Sequence, residues 1–408
     1  MESIKALIIT NEFPPHVYDG AGVHLNYLIQ ELRKLIDVKV RYFGSQSESV
    51  KNLDVHGSDK DKALCASCPK ELEPAFSSCY HRSVGFCATK IDADLIHCHT
   101  WYTYLAGILA KYRYGIPLVL TIHSLELLCP WKREQGDGKY DLSCWLEKKA
   151  IEISDRIIVF SKAAKQDVLN NFDVDMRKVR VIYNGIDTNE YSHIHSQEVL
   201  DKYGIDKEKP YVLFVGRITP PKGILYLMHA ILFIDWHIQV VLCAEAPETK
   251  GLEEEMKRII AQERERGRSV FWIQERVDKK SLLGLYSHAA AFCNPSIYEP
   301  FGITNLEAMA CETPVVASCI GGIKEVVVPS ETGLLVEFET KGNGSFEPAN
   351  PDQFSKDLAF MINQCVKRPQ KSADMAKKSR TRAEEIFNWK TIAQKTVNLY
   401  KILLGRDL

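Results

Sequence analysis

Short apolar segments alternate with helix-like segments along almost the whole chain, and this constrains the fold more than any other feature. In the first half, strand-like segments cover 6–10, 38–42, 95–98, 118–122, 156–160 and 179–183. Helical patterns between them cover 23–35, 102–114 and 142–153. Such alternation predicts a doubly wound, mostly parallel sheet with helices on both faces, that is, the α/β class.

The same alternation restarts in the second half, which indicates a second doubly wound domain. Its strand-like segments are 211–215, 239–244, 269–273, 289–293, 314–318 and 333–336. A chain of 408 residues exceeds one ordinary core. We therefore predict a first domain over 1–190, a polar linker over 191–209 and a second domain over 210–388. The last helical segment, within 389–408, is expected to cross back to the first domain.

Composition and charge exclude several classes of function. The formal net charge is −1, and no basic block or aromatic-interleaved basic stripe occurs, which argues against nucleic acid as a partner. No apolar run approaches the ~18 residues of a membrane span, so integral membrane association is not expected. The start, Met1 to Lys5, leads directly into a strand and leaves no room for a signal peptide. We expect a cytoplasmic protein.

The segment 294–312 has the pattern of a nucleotide-sugar site. It follows an apolar strand and turns through Gly302 into a helical pattern, which presents the backbone N–H groups of Ile303 and Thr304 as a seat for phosphate. Glu299 lies in the turn and Glu307 lies in the helix, where carboxylates accept hydrogen bonds from ligand hydroxyls. A phosphate seat beside two carboxylates predicts a sugar nucleotide as ligand.

Two further loops follow predicted strands and suit the same ligand. Arg217 and Lys222 come just after the strand at 211–215, and two cations on one loop suit a diphosphate whose charge grows as it leaves. Gly20 and Gly22 follow the first strand and precede a helix, where they let the backbone approach a ligand closely.

Together these segments resemble glycosyltransferase family 4, retaining enzymes of the GT-B fold. The resemblance is carried by Pro-Ser-x-Tyr-Glu-Pro-Phe-Gly over 295–302, Glu-Ala-Met-Ala-Cys over 307–311, and Gly216-Arg217 with Lys222-Gly223. It implies two Rossmann-like domains facing across a deep cleft, with the last helix crossing back to the first domain. It also implies a role for a histidine at a first-domain strand end, which matches His123.

The resemblance assigns the site residues one by one. Arg217 and Lys222 hold the leaving diphosphate, while Glu299 and His123 contact the transferred sugar. Glu307 binds the ribose hydroxyls, and the loop with Gly20 and Gly22 closes over the diphosphate. The donor set also contains Gly302, Ile303 and Thr304. The residues that we interpret as lining the acceptor side are Glu12, His99, Trp101, Trp131, Lys132 and Glu134.

Within the family, the chain resembles the prokaryotic glycogen synthases and the related α-maltose-1-phosphate synthases. Motifs such as 97–102 (His-x-His-Thr-Trp-Tyr) and 183–187 (Tyr-Asn-Gly-Ile-Asp) carry this finer likeness. It implies transfer of glucose, with retention, from ADP-glucose or UDP-glucose to an α-1,4-glucan, the diphosphate assisting same-face attack. Transfer to glucose 1-phosphate is the alternative. The nucleobase and the oligomeric state stay open.

Two other classes of function remain as alternatives. One is a non-catalytic sensor of sugar nucleotides, which would predict loss of phosphate-binding residues such as Arg217 and Lys222. The other is a family 4 enzyme acting on lipid-linked acceptors, which would predict a basic, apolar patch in the first domain. We interpret the sequence as lacking an Asp-x-Asp metal motif, so we expect transfer without a metal ion and no cofactor beyond the sugar-nucleotide substrate.

The chain has twelve cysteines, more than expected for a cytoplasmic enzyme. Cys65, Cys68, Cys79 and Cys87 have a spacing that four thiolates on zinc or an iron–sulfur cluster would show. Disulfides are a second interpretation. The interpretation that we favour places Cys79 and Cys87 in a helix over 77–91, where they pack or stay free.

Overall fold

The computed structural model describes residues 3–14, 20–44, 46–57, 75–88, 90–135, 139–247, 249–342 and 344–406. It divides into two compact units. The first unit is Met1–Gly185 with Trp389–Leu408, and the second is Ile186–Asn388. No helix among the described residues has the length and apolar character that a membrane crossing requires.

The first unit contains an eight-stranded sheet in which all neighbours run parallel except β3 and β4. In hydrogen-bonding order the strands are β3 (Ser47–Val50), β4 (Leu53–Gly57), β2 (Asp37–Tyr42), β1 (Lys5–Thr10), β5 (Leu95–His99), β6 (Leu118–Ile122), β7 (Arg156–Val159) and β8 (Val179–Val181). The pair of β3 and β4 was not predicted. Five of the helices are α1 (Gly20–Leu32), α2 (Ala75–Ala88), α3 (Tyr104–Tyr114), α4 (Lys139–Ile153) and α5 (Lys162–Asn171).

Helices cover both faces of this sheet, because its central strands are apolar at successive positions. β5 and β6 are buried along their whole length, as expected for strands covered on both sides. One face packs on α3 and α4 through residues such as Ala106 and Ala150, and the other packs on α1 through residues such as Leu25.

The chain returns to the first unit through α14 (Trp389–Leu403), as predicted. Trp389 packs so closely on Gly185 that a Cβ atom there would come within 2.5 Å of the indole ring. Farther along the helix, the Tyr400 hydroxyl lies 2.6 Å from Nδ1 of His97 on β5. The apolar face of α14 is buried with that of α1, and this burial explains why the last helix belongs with the first unit.

The second unit is built on a six-stranded, fully parallel sheet. In hydrogen-bonding order its strands are β11 (Val270–Ile273), β10 (Gln239–Cys243), β9 (Tyr211–Val215), β12 (Ala291–Asn294), β13 (Val315–Ser318) and β14 (Leu334–Val336). A separate antiparallel pair, β15 (Thr340–Gly342) and β16 (Ser345–Pro348), was not predicted. The two Rossmann-like units confirm the predicted α/β class.

The helices of the second unit flank this sheet. They are α6 (Glu198–Tyr203), α7 (Ile224–Ala230), α8 (Lys250–Glu265), α9 (Lys279–His288), α10 (Ile303–Ala310), α11 (Ile323–Val326), α12 (Pro351–Lys367) and α13 (Pro369–Ile386). The segment predicted as a linker, 191–209, lies inside the second unit and contains α6. Val199, Leu200 and Ile205 are buried there, so this stretch packs as part of the domain despite its polar composition.

Candidate donor and acceptor sites

Each sheet contains one position where the strand order reverses direction, and the predicted site residues follow the strands at these positions. In the second unit β9 lies between β10 and β12, and in the first unit β1 lies between β2 and β5. Ligands of doubly wound sheets bind beyond the carboxyl ends of the strands at such switch points. The two units are described separately below.

In the second unit, the loops after β9 and β12 meet through an ion pair. Nζ of Lys222 lies 2.6 Å from Oε2 of Glu299, and the Glu299 side chain is only 9% exposed. The backbone brings them together, because the N–H groups of Ile297 and Tyr298 both donate to the carbonyl oxygen of Pro221. The sequence predicted both charged residues as ligands of one substrate, and the structure places them in direct contact.

Glycines fix these loops at distances that no larger residue allows. At Gly223, which has φ of 64°, a Cβ atom would lie 2.0 Å from the carbonyl oxygen of Pro295. At Gly321, with φ of 50°, a Cβ atom would lie 2.2 Å from the carbonyl oxygen of Glu299. Backbone therefore packs on backbone on both sides of the Glu299 loop, which holds the carboxylate in a defined position.

Gly302 begins α10 with φ of 91°, and the half-buried Ile303 and Thr304 form the first turn of this helix. The first N–H groups of a helix have no partner within the helix, so this end is suited to an anion, as the sequence predicted. Arg217 is exposed in the loop after β9. These groups thus follow β9 and β12, the two strands of the switch point.

Glu307 lies on α10, where both of its oxygens accept hydrogen bonds from tyrosines. The hydroxyl of Tyr191 donates to Oε1 and the hydroxyl of Tyr286 donates to Oε2, each at 2.9 Å. Burial raises the pKa of Glu307, and the two hydroxyl bonds act in the opposite direction. Neither tyrosine was predicted, because Tyr191 belongs to the supposed linker and Tyr286 resembles a core residue of α9.

In the first unit, the loops after β1 and β5 are joined by a hydrogen bond in which the Thr100 hydroxyl donates to Oδ1 of Asn11 at 3.0 Å. Thr100 has φ of 65°, an unusual conformation for this residue type. Glu12 is buried beside Asn11. Gly20 is exposed at the start of α1 and Gly22 is buried in its first turn. The intervening residues 15–19 lie outside the described part of the chain.

Four histidines lie close together at the carboxyl edge of the first sheet. His24 is on α1, His97 and His99 are on β5, and His123 follows β6. Burial lowers the pKa of His24 to about 4 and that of His97 to about 3, and it lowers those of His99 and His123 well below the ordinary value. All four rings are therefore neutral at pH 7. His123 is half-buried, so it retains access to a ligand.

Two of the predicted acceptor residues are in the interior. His99 is fully buried, and Trp101 is 8% exposed in the core, where its ring stacks on Tyr102 with a centroid distance of 4.0 Å. Neither side chain has an exposed face in this structure, because β5 is covered on both sides at His99 and Trp101 packs into the core just after this strand. Their predicted role in lining the acceptor side stays a prediction.

Trp131 and Lys132 are half-buried in a short 3₁₀ segment between β6 and α4. Nζ of Lys132 lies 2.8 Å from Oε1 of Glu126, and the backbone N–H of Glu126 donates to Oε2 of Glu147 at 2.9 Å. Burial raises the pKa of Glu147 to about 8, with the nearby Glu126 charge as a second cause. The side chain of Glu134 lies outside the described part of the structure.

Most of the cysteines that were considered as metal ligands or disulfide partners lie outside the described part of the structure. Cys65 and Cys68 lie outside the described ranges, as does the side chain of Cys79. Cys87 is buried as a free thiol on α2, and its Sγ donates to the carbonyl oxygen of Ala106 at 3.3 Å. Burial raises the pKa of this thiol.

Three Asp-x-Asp pairs occur in the sequence, so the expectation that this motif is absent was wrong. Asp59 and Asp61 lie outside the described residues, and the other two pairs precede strands. Asp92 and Asp94 precede β5, where Asp92 contacts Lys5 and Lys39 and Asp94 contacts Arg406. The other pair, 173–175, precedes β8, and Asp175 is paired with Arg177. These two described pairs are at the edge opposite the carboxyl ends of the strands. Metal-independent transfer stays a prediction.

Comparison with known proteins agrees with this architecture. The family model "Glycosyltransferase Family 4" matches residues 18–190, and "Glycosyl transferases group 1" matches residues 196–382. The α-maltose-1-phosphate synthase of Mycolicibacterium smegmatis is 38% identical, with 98% of this chain and 99% of that protein covered.

Solved structures with the same fold include the sucrose-phosphate synthase of Thermosynechococcus elongatus, with a TM-score of 0.72 and 24% identity over 98% of this chain and 99% of that one. The catalytic domain of starch synthase IV from Arabidopsis thaliana, bound to ADP and acarbose, has a TM-score of 0.73 and 17% identity, with both chains fully covered. At these identities the likeness concerns the GT-B fold. The family matches and the full-length relative show more: the chain belongs to glycosyltransferase family 4.

Proposed function

We propose that this glycosyltransferase moves glucose from a nucleotide diphosphate glucose, ADP-glucose or UDP-glucose, with retention of configuration. The observation that carries the proposal is the Lys222–Glu299 ion pair at the switch point of the second unit. An arriving diphosphate competes with Glu299 for the Lys222 ammonium. The carboxylate then turns to the hydroxyls of the transferred glucose, and Arg217 and Lys222 stabilise the growing charge of the leaving diphosphate.

The ribose of the donor binds to Glu307. Each carboxylate oxygen accepts one tyrosine hydroxyl and has further lone-pair capacity, so the group accepts ribose hydroxyls without losing its present partners. The N-terminus of α10, with Gly302, Ile303 and Thr304, receives a phosphate. The leaving diphosphate takes the proton of the acceptor hydroxyl, so this scheme needs no metal ion and no cofactor.

The sugar side of the donor lies against His123. Its neutral ring donates or accepts a hydrogen bond but adds no charge, which suits a sugar hydroxyl. Gly20 and Gly22 allow the start of α1 to come close to the diphosphate. Glu12, buried near Asn11, is proposed to help orient the acceptor.

As acceptor we propose glucose 1-phosphate, which gives a disaccharide phosphate as product. Support comes from the full-length similarity to α-maltose-1-phosphate synthases, at 38% and 37% identity. Lys132 is a cation for the acceptor phosphate, since a phosphate competes with Glu126 for its ammonium. Trp131 beside it offers a ring for stacking on a sugar. The sequence interpretation put glucan elongation first, and the motif resemblance to glycogen synthases keeps it as the second candidate.

The test combines each donor with each acceptor. Release of nucleotide is measured from ADP-glucose and UDP-glucose with glucose 1-phosphate, maltooligosaccharides or glycogen, and products are identified by mass and by anomeric proton coupling. We expect an α-linked disaccharide phosphate from glucose 1-phosphate. Growth of a glucan by single glucose units, with glucose 1-phosphate inert, would replace this acceptor with the second candidate. A β-linked product would overturn retention.

A further inference from the structure

A cavity of about 200 Å³ lies in the first unit, between the outer edge of the sheet and the last helix. We call it the edge cavity. Its walls come from β7, from β8 with the residue that follows it, and from α14. None of the residues that line it is acidic, and none belongs to the candidate donor or acceptor sites.

The edge cavity is far from the switch point of the first sheet. β8 is the last strand in hydrogen-bonding order, four strands away from β1. At ~4.8 Å between neighbouring strands, this is a separation of about 19 Å. The cavity also reaches Arg156, which begins β7, whereas the candidate substrate groups follow the carboxyl ends of the strands. The edge cavity is therefore distinct from the groups that we assign to the donor and the acceptor.

Three cations line the edge cavity, and each comes from a different element: Arg156 from β7, Arg180 from β8 and Lys395 from α14. The two arginines are on the same face of the sheet, because Arg180 pairs with Ile158, two residues after Arg156. This is the face that α14 covers. Three like charges around one small space repel each other unless an anion lies between them.

Two of these cations are not neutralised by the protein. Within the part of the chain that the structure describes, neither Arg180 nor Lys395 makes an ion pair or a side-chain hydrogen bond. Their own elements offer no partner, because α14, β7 and β8 contain no acidic residue. Both side chains are exposed, so they are free to turn toward a ligand in the cavity.

The third cation, Arg156, is held in place by the backbone. It is half-buried, and its Nη1 donates to the carbonyl oxygen of Asp155 at 2.8 Å. The Asp155 carboxylate is paired elsewhere, since its Oδ2 accepts from the backbone N–H of Leu118 at 2.7 Å and from Nζ of Lys111. A guanidinium has five N–H donors, so Arg156 keeps further donors for an anion.

The rest of the wall is mainly apolar. Ile182 and Leu399 are buried there, and Ile402 is 52% exposed. Lys395, Leu399 and Ile402 follow the i, i+4, i+7 spacing of one helix face, so α14 presents a cation and an apolar surface together. Charges on an edge strand also discourage pairing with other chains, but this purpose needs neither a cavity nor an apolar wall.

We propose that the edge cavity binds the phosphate group of a phosphate monoester with an apolar body, a ligand that is neither donor nor acceptor of the proposed transfer. Arginine matches phosphate with paired N–H groups, and lysine adds a point charge. The volume is below the ~300–1,000 Å³ of sites for drug-sized ligands, so it suits a phosphate with a small organic part. The bound ligand joins the sheet to α14 and stabilises the first unit. This inference is independent of the proposed function.

The experiment titrates the full chain with phenyl phosphate by calorimetry at low ionic strength, and thermal unfolding is measured over the same concentrations. We expect saturable binding that weakens as salt is added, and a Tm that rises with the phenyl phosphate concentration. Inorganic phosphate should bind more weakly, and uncharged benzyl alcohol should not bind. Failure of the wild-type protein to bind phenyl phosphate would overturn the proposal. No sugar nucleotide is present, so the outcome does not depend on whether the proposed transfer is observed.

A double variant assigns the binding to the edge cavity. Arg180→Gln with Lys395→Gln changes two exposed positions, so the fold should be kept. It should bind phenyl phosphate at least about tenfold more weakly and lose most of the rise in Tm, because two charge-assisted contacts are removed. Binding equal to that of the wild-type protein would place the phosphate at another site and overturn the proposal.

The matched control is Lys34→Gln with Arg113→Gln. It removes the same charge from two exposed positions of the first unit that do not line the cavity. Its affinity for phenyl phosphate should equal that of the wild-type protein. An equal loss of affinity in this control would reduce the effect to net charge and overturn the assignment to the edge cavity.

A second measurement separates two sources of such a ligand, a free phosphate ester and the headgroup of an anionic phospholipid. Co-sedimentation is measured with phosphatidylcholine vesicles that contain phosphatidic acid. Co-sedimentation of the wild-type protein that is lost in Arg180→Gln with Lys395→Gln would assign the lipid headgroup. Absent co-sedimentation, or co-sedimentation that is equal in both proteins, would assign the free ester, provided that phenyl phosphate binds as expected.

Discussion

The two switch points use the same sheet topology but present opposite kinds of chemistry. In the second unit the loops after β9 and β12 carry charges, and Lys222 pairs with Glu299 at 2.6 Å. In the first unit the corresponding edge carries neutral, buried imidazoles. Under the proposed function, the duplicated fold separates two tasks: one edge stabilises the charge of a diphosphate, and the other positions groups without adding charge.

The largest expected effect tests the charged edge. Lys222→Ala or Arg217→Ala should lower turnover by about two orders of magnitude, since loss of a transition-state charge stabiliser costs ~3–4 kcal/mol. Steady-state kinetics with saturating donor measure this. Lys257→Ala, which removes an exposed lysine of α8 paired with Glu253, is the matched control. Turnover equal to that of the control in both variants would refute the assignment of Arg217 and Lys222 to the leaving diphosphate.

The next effect concerns the ribose contact of the same unit. Glu307→Ala should weaken nucleotide affinity about 10- to 100-fold, because hydrogen bonds to a charged group contribute ~1.5–3 kcal/mol. Calorimetric titration with ADP and UDP provides the measurement, and Glu254→Ala on the exposed side of α8 is the control. Tyr191→Phe and Tyr286→Phe should each have a smaller effect, since each removes one donor and keeps the carboxylate. An unaltered affinity in Glu307→Ala would contradict the ribose role.

The sequence predicted the charged edge better than the neutral one, for a physical reason. Glu299, Glu307, Arg217 and Lys222 follow strands in local motifs, so their spacing along the chain already places them at the switch point. Contacts between distant segments have no such signal. The Tyr191–Glu307 hydrogen bond joins residues 116 positions apart, and the His24–Asn184 bond joins residues 160 positions apart.

Burial at the ends of strands was the second difficulty. His99 ends β5 and Trp101 follows it in a motif that resembles an acceptor site, yet both side chains are buried. The segment 191–209 shows the opposite case: its charged composition predicted an exposed linker, but it packs onto the second unit. Three buried apolar residues, Val199, Leu200 and Ile205, are sufficient for this packing. Composition averages over a segment, whereas packing depends on which few side chains face the core.

A moderate effect tests the proposed contact between Lys132 and the acceptor phosphate. Lys132→Gln should raise the KM for glucose 1-phosphate about tenfold or more, since it removes a charge-assisted hydrogen bond. The KM for the donor should stay unchanged. Lys148→Gln on α4, where the lysine pairs with Glu152, is the control. Equal changes in the KM values of donor and acceptor would indicate a general structural effect and remove the specific acceptor role.

The smallest expected effect is the sharpest test of the contrast between the two edges. Chelator-treated protein should keep its full rate of transfer, because the charge of the leaving diphosphate is balanced by Arg217 and Lys222 rather than by a metal ion. Initial rates before and after chelation, with the metal content measured in the same samples, decide the point. A loss restored by Mg²⁺ would show that Arg217 and Lys222 alone do not balance the charge of the leaving diphosphate. A loss restored by Zn²⁺ alone would instead make a transition-metal ion part of the catalytic machinery, and the separation between a charged edge and a neutral edge would no longer hold.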